Sequence, residues 1–165
     1  MPHELPSDLI RYAASPRQVV VPAERPDEPN LGDFALLSAH EYTHTYFAGT
    51  LRPADDDTRG RIWREGDRLR VELEMDEPHA DKLLDRLADS GDQPFWDTDF
   101  VSLHLLDRAG GIVQVAVKPD GSVHVSLPEA AAGKQPPRPA ARVGDGQWSA
   151  EFAVPLSLLG EAEGD

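Results

Sequence analysis

The chain has 165 residues, a length that suits one domain. Its 30 acidic and 16 basic residues give a formal net charge of −14, and such an acidic surface repels phosphate groups. Nucleic acid and anionic membranes are therefore poor partners, whereas neutral ligands such as sugars are compatible. Cysteine is absent, which excludes disulfides and thiolate metal sites. No apolar run approaches a membrane span and the first residues lack the apolar stretch of a signal peptide, so the sequence predicts a soluble, cytoplasmic chain.

The composition changes along the chain and predicts three segments. Residues 1–30 are rich in proline and acidic residues, which predicts a loose arm with one short strand, Val19–Val21, ended by Pro22. Residues 31–160 form the predicted domain, and residues 161–165 form a predicted disordered tail. The sequence leaves open whether the arm packs onto the domain.

A β-hairpin is predicted over residues 59–76, with its turn at Glu65–Asp67. Side chains of the return strand alternate, and four of them are expected to point inward: Leu69, Val71, Leu73 and Met75. The next segment, Ala80–Ser90, has leucines at helical spacing and Gly91 directly after it, so it predicts a short helix closed by a glycine. Those leucines are Leu83, Leu84 and Leu87.

Residues 101–127 contain three runs in which apolar and polar side chains alternate with a period of two. The runs are separated by Gly110-Gly111 and Asp120-Gly121, which are typical hairpin turns. The pattern predicts a three-stranded antiparallel meander with one apolar face and one polar face.

The end of the domain predicts another hairpin, in which Ala141–Val143 pairs with Gln147–Val154, followed by a helical turn over Pro155–Leu159. Many short strands, hairpin turns and only one short helix predict an all-β fold. The expected architecture is an antiparallel β-sandwich of the immunoglobulin or jelly-roll kind.

The segment His40-Glu41-Tyr42-Thr43-His44 matches H-E-x-x-H, the zinc protease signature. That motif works on a helix, where both histidines bind the metal and the glutamate acts as base. The β-branched and aromatic residues around it favour a strand, in which His40 and His44 would stand about 13 Å apart, too far for one ion. A zinc hydrolase is therefore a weaker alternative, and the sequence favours a protein that is not an enzyme.

The segment Pro94-Phe95-Trp96-Asp97-Thr98-Asp99 comes directly before the meander. A tryptophan ring beside carboxylates is a common way to hold a sugar, because the ring stacks on the apolar face of a pyranose and the acids accept hydroxyl hydrogen bonds. The alternative is that Phe95 and Trp96 close one end of the sandwich.

The order of these features resembles family 9 carbohydrate-binding modules and the wider group of DOMON-like β-sandwiches. Four segments between residues 58 and 160 carry the resemblance: TRGRIWREGDRLRVELEMDEP, PFWDTDFVSLHLL, VQVAVKPDGSVHVS and WSAEFAVPLSLLG. The resemblance implies a non-catalytic sandwich that binds sugars, often appended to glycoside hydrolases of carbohydrate catabolism. It implies that Trp96 stacks on the sugar and that Asp97 and Asp99 are the acidic pair beside it.

This chain also departs from the family pattern. The family's glutamate on the first meander strand is Ser102 here, and its ligand-facing arginine and asparagine on the next strand fall on Gln114 and Ala116. Trp63 or an upstream tyrosine is the candidate for the second stacking aromatic of the family.

The predicted partner is a neutral saccharide, and no cofactor is expected. The predicted ligand surface comprises residues of the aromatic loop and of the polar face of the meander: Trp96, Asp97, Asp99, Ser102, His104, Gln114 and His124. Some relatives bind calcium, and oxygen ligands from Asp76, Asp97 and Asp99 are the alternative metal site. An accessory β-sandwich that has lost the ligand is the other main interpretation.

Overall fold

The computed structural model describes residues 21–31, 35–37, 51–53, 58–91, 94–95 and 98–160. Within these ranges strands dominate and only one α-helix is present, which confirms the all-β prediction. The elements are β1 (Ala35–Leu37), β2 (Leu51–Pro53), β3 (Thr58–Glu65), β4 (Arg68–Asp76), α1 (Ala80–Asp89), β5 (Val101–Leu106), β6 (Ile112–Val117), β7 (Val123–Ser126), β8 (Ala140–Gly144) and β9 (Gln147–Pro155). Short 3-10 turns lie at Glu129–Ala131 and Leu156–Leu159.

Two antiparallel sheets contain seven of these strands. The first has the strand order β3-β4-β9-β8, and the second has the order β5-β6-β7. The short strands β1 and β2 pair with each other. The predicted hairpins and the predicted meander are confirmed, because β3 pairs with β4, β8 with β9, and β6 with both β5 and β7.

Both sheets and the helix contribute to one buried core. Val71 of β4, Phe152 of β9, Val115 of β6 and Leu83 of α1 are each at most 1% exposed and belong to the same cluster. Buried and partly exposed side chains alternate along β4 and β9, as the period of two predicts, whereas Val123 of β7, expected to point inward, is 45% exposed. A core that two sheets share is consistent with the predicted sandwich.

The helix α1 lies where the leucine spacing predicts it and ends beside a glycine. Leu83 and Leu87 are buried, whereas Leu84 is 46% exposed. Gly91 has a φ of 56°, the left-handed conformation that favours glycine after a helix. Among the residues that the structure describes, no helix is long and apolar enough to cross a membrane.

Residues 21–31, which we term the N-terminal strap, lie along the outer edge of β3. The Arg64 N–H donates a 2.8 Å hydrogen bond to the Pro22 carbonyl, and the Asn30 and Leu31 N–H groups both donate to the Gly60 carbonyl at 3.0 Å. The strap is antiparallel to β3 through the bridge between Leu31 and Gly60. The described part of the predicted arm therefore packs onto the four-stranded sheet, a point that the sequence left open.

Truncation of the core at Phe152 should strongly destabilise the fold. Phe152 is fully buried at the centre of the shared core. We expect Phe152→Ala to lower the free energy of unfolding by about 3–5 kcal/mol through lost burial and a residual cavity. Leu84→Ala, on the exposed side of α1, should change it by less than about 0.5 kcal/mol. Urea unfolding of both variants checks this, and equal effects would contradict the assignment of the core.

The turn between β5 and β6 should tolerate no side chain at Gly111. A Cβ there would stand 2.7 Å from Asp107 Oδ2 and 2.7 Å from Pro128 Cβ, while Gly144 has no atom within 4 Å of its Cβ position. We expect Gly111→Ala to cost about 1–3 kcal/mol by overpacking. Gly144→Ala, whose φ lies outside the left-handed region, should be neutral or stabilising. Thermal and urea unfolding of the two variants measure the difference.

Candidate functional site

The outward face of the three-stranded sheet brings four predicted site residues together. In the β5–β6 register Ser102 lies opposite Ala116 and His104 lies opposite Gln114. In the β6–β7 register Ala116 lies opposite His124. The intervening valines of β6 are buried in the core, so the side chains of these residues project from the other face.

Ser102, His104 and Gln114 form a polar cluster that is open to solvent. The Ser102 Oγ and His104 Nε2 atoms are 2.8 Å apart, and Gln114 Nε2 is 3.4 Å from the same ring nitrogen. Because an amide nitrogen can only donate, His104 Nε2 is assigned as the acceptor and the proton of the neutral ring is assigned to Nδ1. His104 is exposed, so this Ser102–His104–Gln114 cluster can exchange hydrogen bonds with a ligand.

The other end of this face is covered by the chain itself. The Phe95 ring packs against the His124 ring with centroids 5.9 Å apart, and Lys118 Nζ lies 4.6 Å from the Phe95 centroid. The Phe100 and Phe95 ring centroids are also 5.9 Å apart. Ala116, which lies opposite His124 in the sheet, is fully buried. His124, predicted as a ligand residue, therefore contacts an aromatic side chain of its own chain, and only part of the face is open.

Lys118 was not identified as part of this face from the sequence. It is 9% exposed, and it continues the outward series of β6 beyond Gln114 and Ala116. A period of two extended past Val117 could have placed it on the outward face. The contact with Phe95 could not have been inferred, because nothing in the local sequence links the two residues.

Asp99 and Asp76, the described acidic residues among the predicted ligand and calcium sites, each lie near an arginine. Asp99 is exposed, and its Oδ2 lies 4.0 Å from an Arg86 guanidinium nitrogen. Asp76, an alternative calcium ligand, accepts a 3.0 Å hydrogen bond from Arg59. Among the described residues no three His, Asp or Glu side chains are grouped so that they could hold a metal ion.

Several predicted residues lie outside the described ranges. These are Trp96 and Asp97 of the aromatic loop and His40, Glu41 and His44 of the H-E-x-x-H match. The calcium and zinc alternatives, which depend on Asp97 and on the two histidines, stay predictions. Trp63 is described, and it is only 4% exposed, so it offers no stacking surface.

No protein-family model, curated protein or solved structure matches this chain. The resemblance to family 9 carbohydrate-binding modules therefore rests on the sequence segments that carry it.

The Ser102–His104–Gln114 cluster predicts one tautomer of neutral His104. We expect the Nδ1–H form, since Gln114 Nε2 donates to Nε2. Long-range nitrogen–proton NMR correlations of the neutral ring identify the protonated nitrogen. In Gln114→Leu, which removes the donor, the Nε2–H population should rise. A dominant Nε2–H form in the unaltered chain would contradict the assigned hydrogen bond from Gln114 Nε2 to His104 Nε2.

Proposed function

We propose that the chain is a non-catalytic domain that binds a neutral saccharide on the outward face of its three-stranded sheet. The observation that carries the proposal is the solvent-exposed Ser102–His104–Gln114 cluster. Hydroxyl, imidazole and carboxamide groups both donate and accept hydrogen bonds, as sugar hydroxyls do. The cluster is therefore complementary in chemistry to a polyhydroxylated ligand.

The charge of this face supports a neutral ligand. Eight side chains of β5, β6 and β7 occupy its outward positions, and none of them is acidic, although the chain has a net charge of −14. They are Ser102, His104, Leu106, Ile112, Gln114, Ala116, His124 and Ser126. A ligand without charge can dock here without desolvating a carboxylate on these strands, which would be costly.

Apolar groups border the polar cluster on two sides. Leu106 and Ile112 lie opposite each other at the turn end of the sheet and are 72% and 53% exposed. Phe95 and His124 are in ring contact at the other end. Sugar sites combine apolar surface for the C–H face of a pyranose with a few placed polar groups, and this face has both.

A ligand-less accessory domain is the second candidate function. It is favoured by the burial of Ala116, because Phe95 and Lys118 already occupy part of the face. The exposed Leu106 and Ile112 pair would then contact a protein partner, since neighbouring apolar side chains on a surface are typical of interaction sites.

Saccharide binding should perturb the cluster and depend on His104. In titrations with neutral mono- and oligosaccharides, we expect amide NMR shifts of Ser102, His104 and Gln114. His104→Ala should weaken binding about tenfold, the effect of losing about one hydrogen bond. The matched control is His79→Ala, which removes an exposed histidine beside α1.

The outcomes separate the two candidate functions. Shifts at the cluster that disappear in His104→Ala and persist in His79→Ala support saccharide binding. An unchanged spectrum with all neutral saccharides rejects it. Shifts centred on Leu106 and Ile112 on addition of a protein partner would then support the accessory role.

A further inference from the structure

The N-terminal strap forms hydrogen bonds along the edge of β3 at positions where a neighbouring strand would otherwise pair. The Asn30 side chain donates from Nδ2 to the Ile62 carbonyl and accepts from the Ile62 N–H at Oδ1, both at 2.8 Å. Backbone hydrogen bonds to Gly60 and Arg64 lie on either side. One carboxamide thus satisfies both backbone groups of Ile62, which an edge strand would otherwise leave unpaired.

The strap also covers a tryptophan on the solvent side of the sheet. Trp63 lies opposite Arg70, on the face that carries the charged side chains of β4, and is not part of the shared core. The Arg25 and Arg70 guanidinium carbons are 5.9 and 5.8 Å from the Trp63 ring, within the range of a cation–π contact. Arg25 of the strap is fixed in turn by hydrogen bonds of 2.7 to 3.1 Å to Glu72.

The strap and the strand that it covers are complementary in charge. The strap contains three acidic residues and β3 contains three arginines, and Arg61 donates a 3.1 Å hydrogen bond to the backbone carbonyl of Asp27. Arg59 and Arg61 also form ion pairs with acidic side chains of β4. Three prolines in the strap lack an N–H donor, so the strap offers a poor template for a further strand. These prolines are Pro22, Pro26 and Pro29.

These contacts have the composition of a peptide-recognition site. Main-chain bonds at a strand edge provide affinity, and an anchored side chain provides specificity, as in the addition of an extended peptide to a sheet. Here Ile62 and Arg64 provide the edge, while Trp63 and Glu72 receive the arginine.

We propose that the β3 edge is a peptide-binding groove that the strap fills in cis. A second acidic, proline-containing, extended segment that carries an arginine and an asparagine at matching positions binds the same groove in trans when the strap is released. The strap competes with it at the high effective concentration of a tethered ligand, so a trans peptide binds the unaltered chain weakly. The inference concerns the four-stranded sheet and is independent of the proposed saccharide site.

The test uses the full chain and a synthetic peptide with the sequence of residues 21–31. In the chain variant Arg25→Ala/Asn30→Ala, hydrogen exchange of the Ile62 and Arg64 amides should accelerate at least tenfold, while exchange at Val71 on β4 stays unchanged. The peptide should bind this variant at least tenfold more tightly than the unaltered chain and restore protection at both amides. A peptide with the same two substitutions should bind at least tenfold more weakly.

The test includes a control variant, and a second variant in case the first does not fold. Arg68→Ala removes an exposed arginine of the same sheet, paired with Asp67 rather than with the strap, and should change neither exchange nor peptide affinity. If the double variant does not fold, Arg25→Ala alone is used with the same readouts. The peptide is added to about millimolar concentration, the effective concentration of a short tether. If the amide NMR signals of Ile62 and Arg64 do not shift in a folded variant at this concentration, the proposal is overturned. Equal binding of the native and substituted peptides also overturns it.

Discussion

The pairing of β4 with β9 is the constraint on which the rest of the structure depends. It joins two strands that are far apart in the chain over nine register pairs, from Arg68↔Pro155 to Asp76↔Gln147. Its inward side chains include Val71 and Phe152, which are directly opposite each other and almost fully buried. Because a slip of one residue would turn these side chains to solvent, burial fixes the register of the central strands. The edge strand β3 then pairs with β4, and the edge strand β8 pairs with β9.

The alternation of side chains predicted the sheets well because burial enforces it. Apolar and polar residues alternate in the sequence of β4 and of the strands between Val101 and Ser126, and the hairpin turns contain glycines with positive φ, such as Gly66 and Gly121. The same pattern could not reveal what covers the outward face of a strand. The contact of the strap with β3 and the contact of Lys118 with Phe95 both join segments that are distant in sequence or irregular in structure. The periodicity of the sequence therefore does not predict them.

Charge arrangement on the four-stranded sheet explains why the strap carries an arginine. The register places Glu72 directly opposite Glu151, a destabilising like-charge pair. Arg25 binds Glu72, and Arg70 lies 3.9 Å from Glu151. The hydrogen bonds and the charge of Glu72 raise the pKa of Arg25 above its ordinary value, and the guanidinium is positively charged at neutral pH in any case. The strap therefore offsets repulsion within the sheet in addition to closing its edge.

On the outward face of each sheet an aromatic ring contacts a cation of the same chain. The buried Trp63 ring lies within cation–π range of Arg25 and Arg70, and the half-buried Phe95 ring lies within range of Lys118, which is only 9% exposed. Arg25 also binds Glu72, and Arg70 lies near Glu65 and Glu151, so these two cations offset acidic charge on the four-stranded sheet while they cover the Trp63 ring. Burial removes Trp63 as a ligand platform, and the contacts of Phe95 with His124 and Lys118 leave the Ser102–His104–Gln114 cluster as the open polar part of the outward face of β5–β7. For this reason the cluster, rather than an exposed aromatic ring among the described residues, is where a ligand of this chain should be sought.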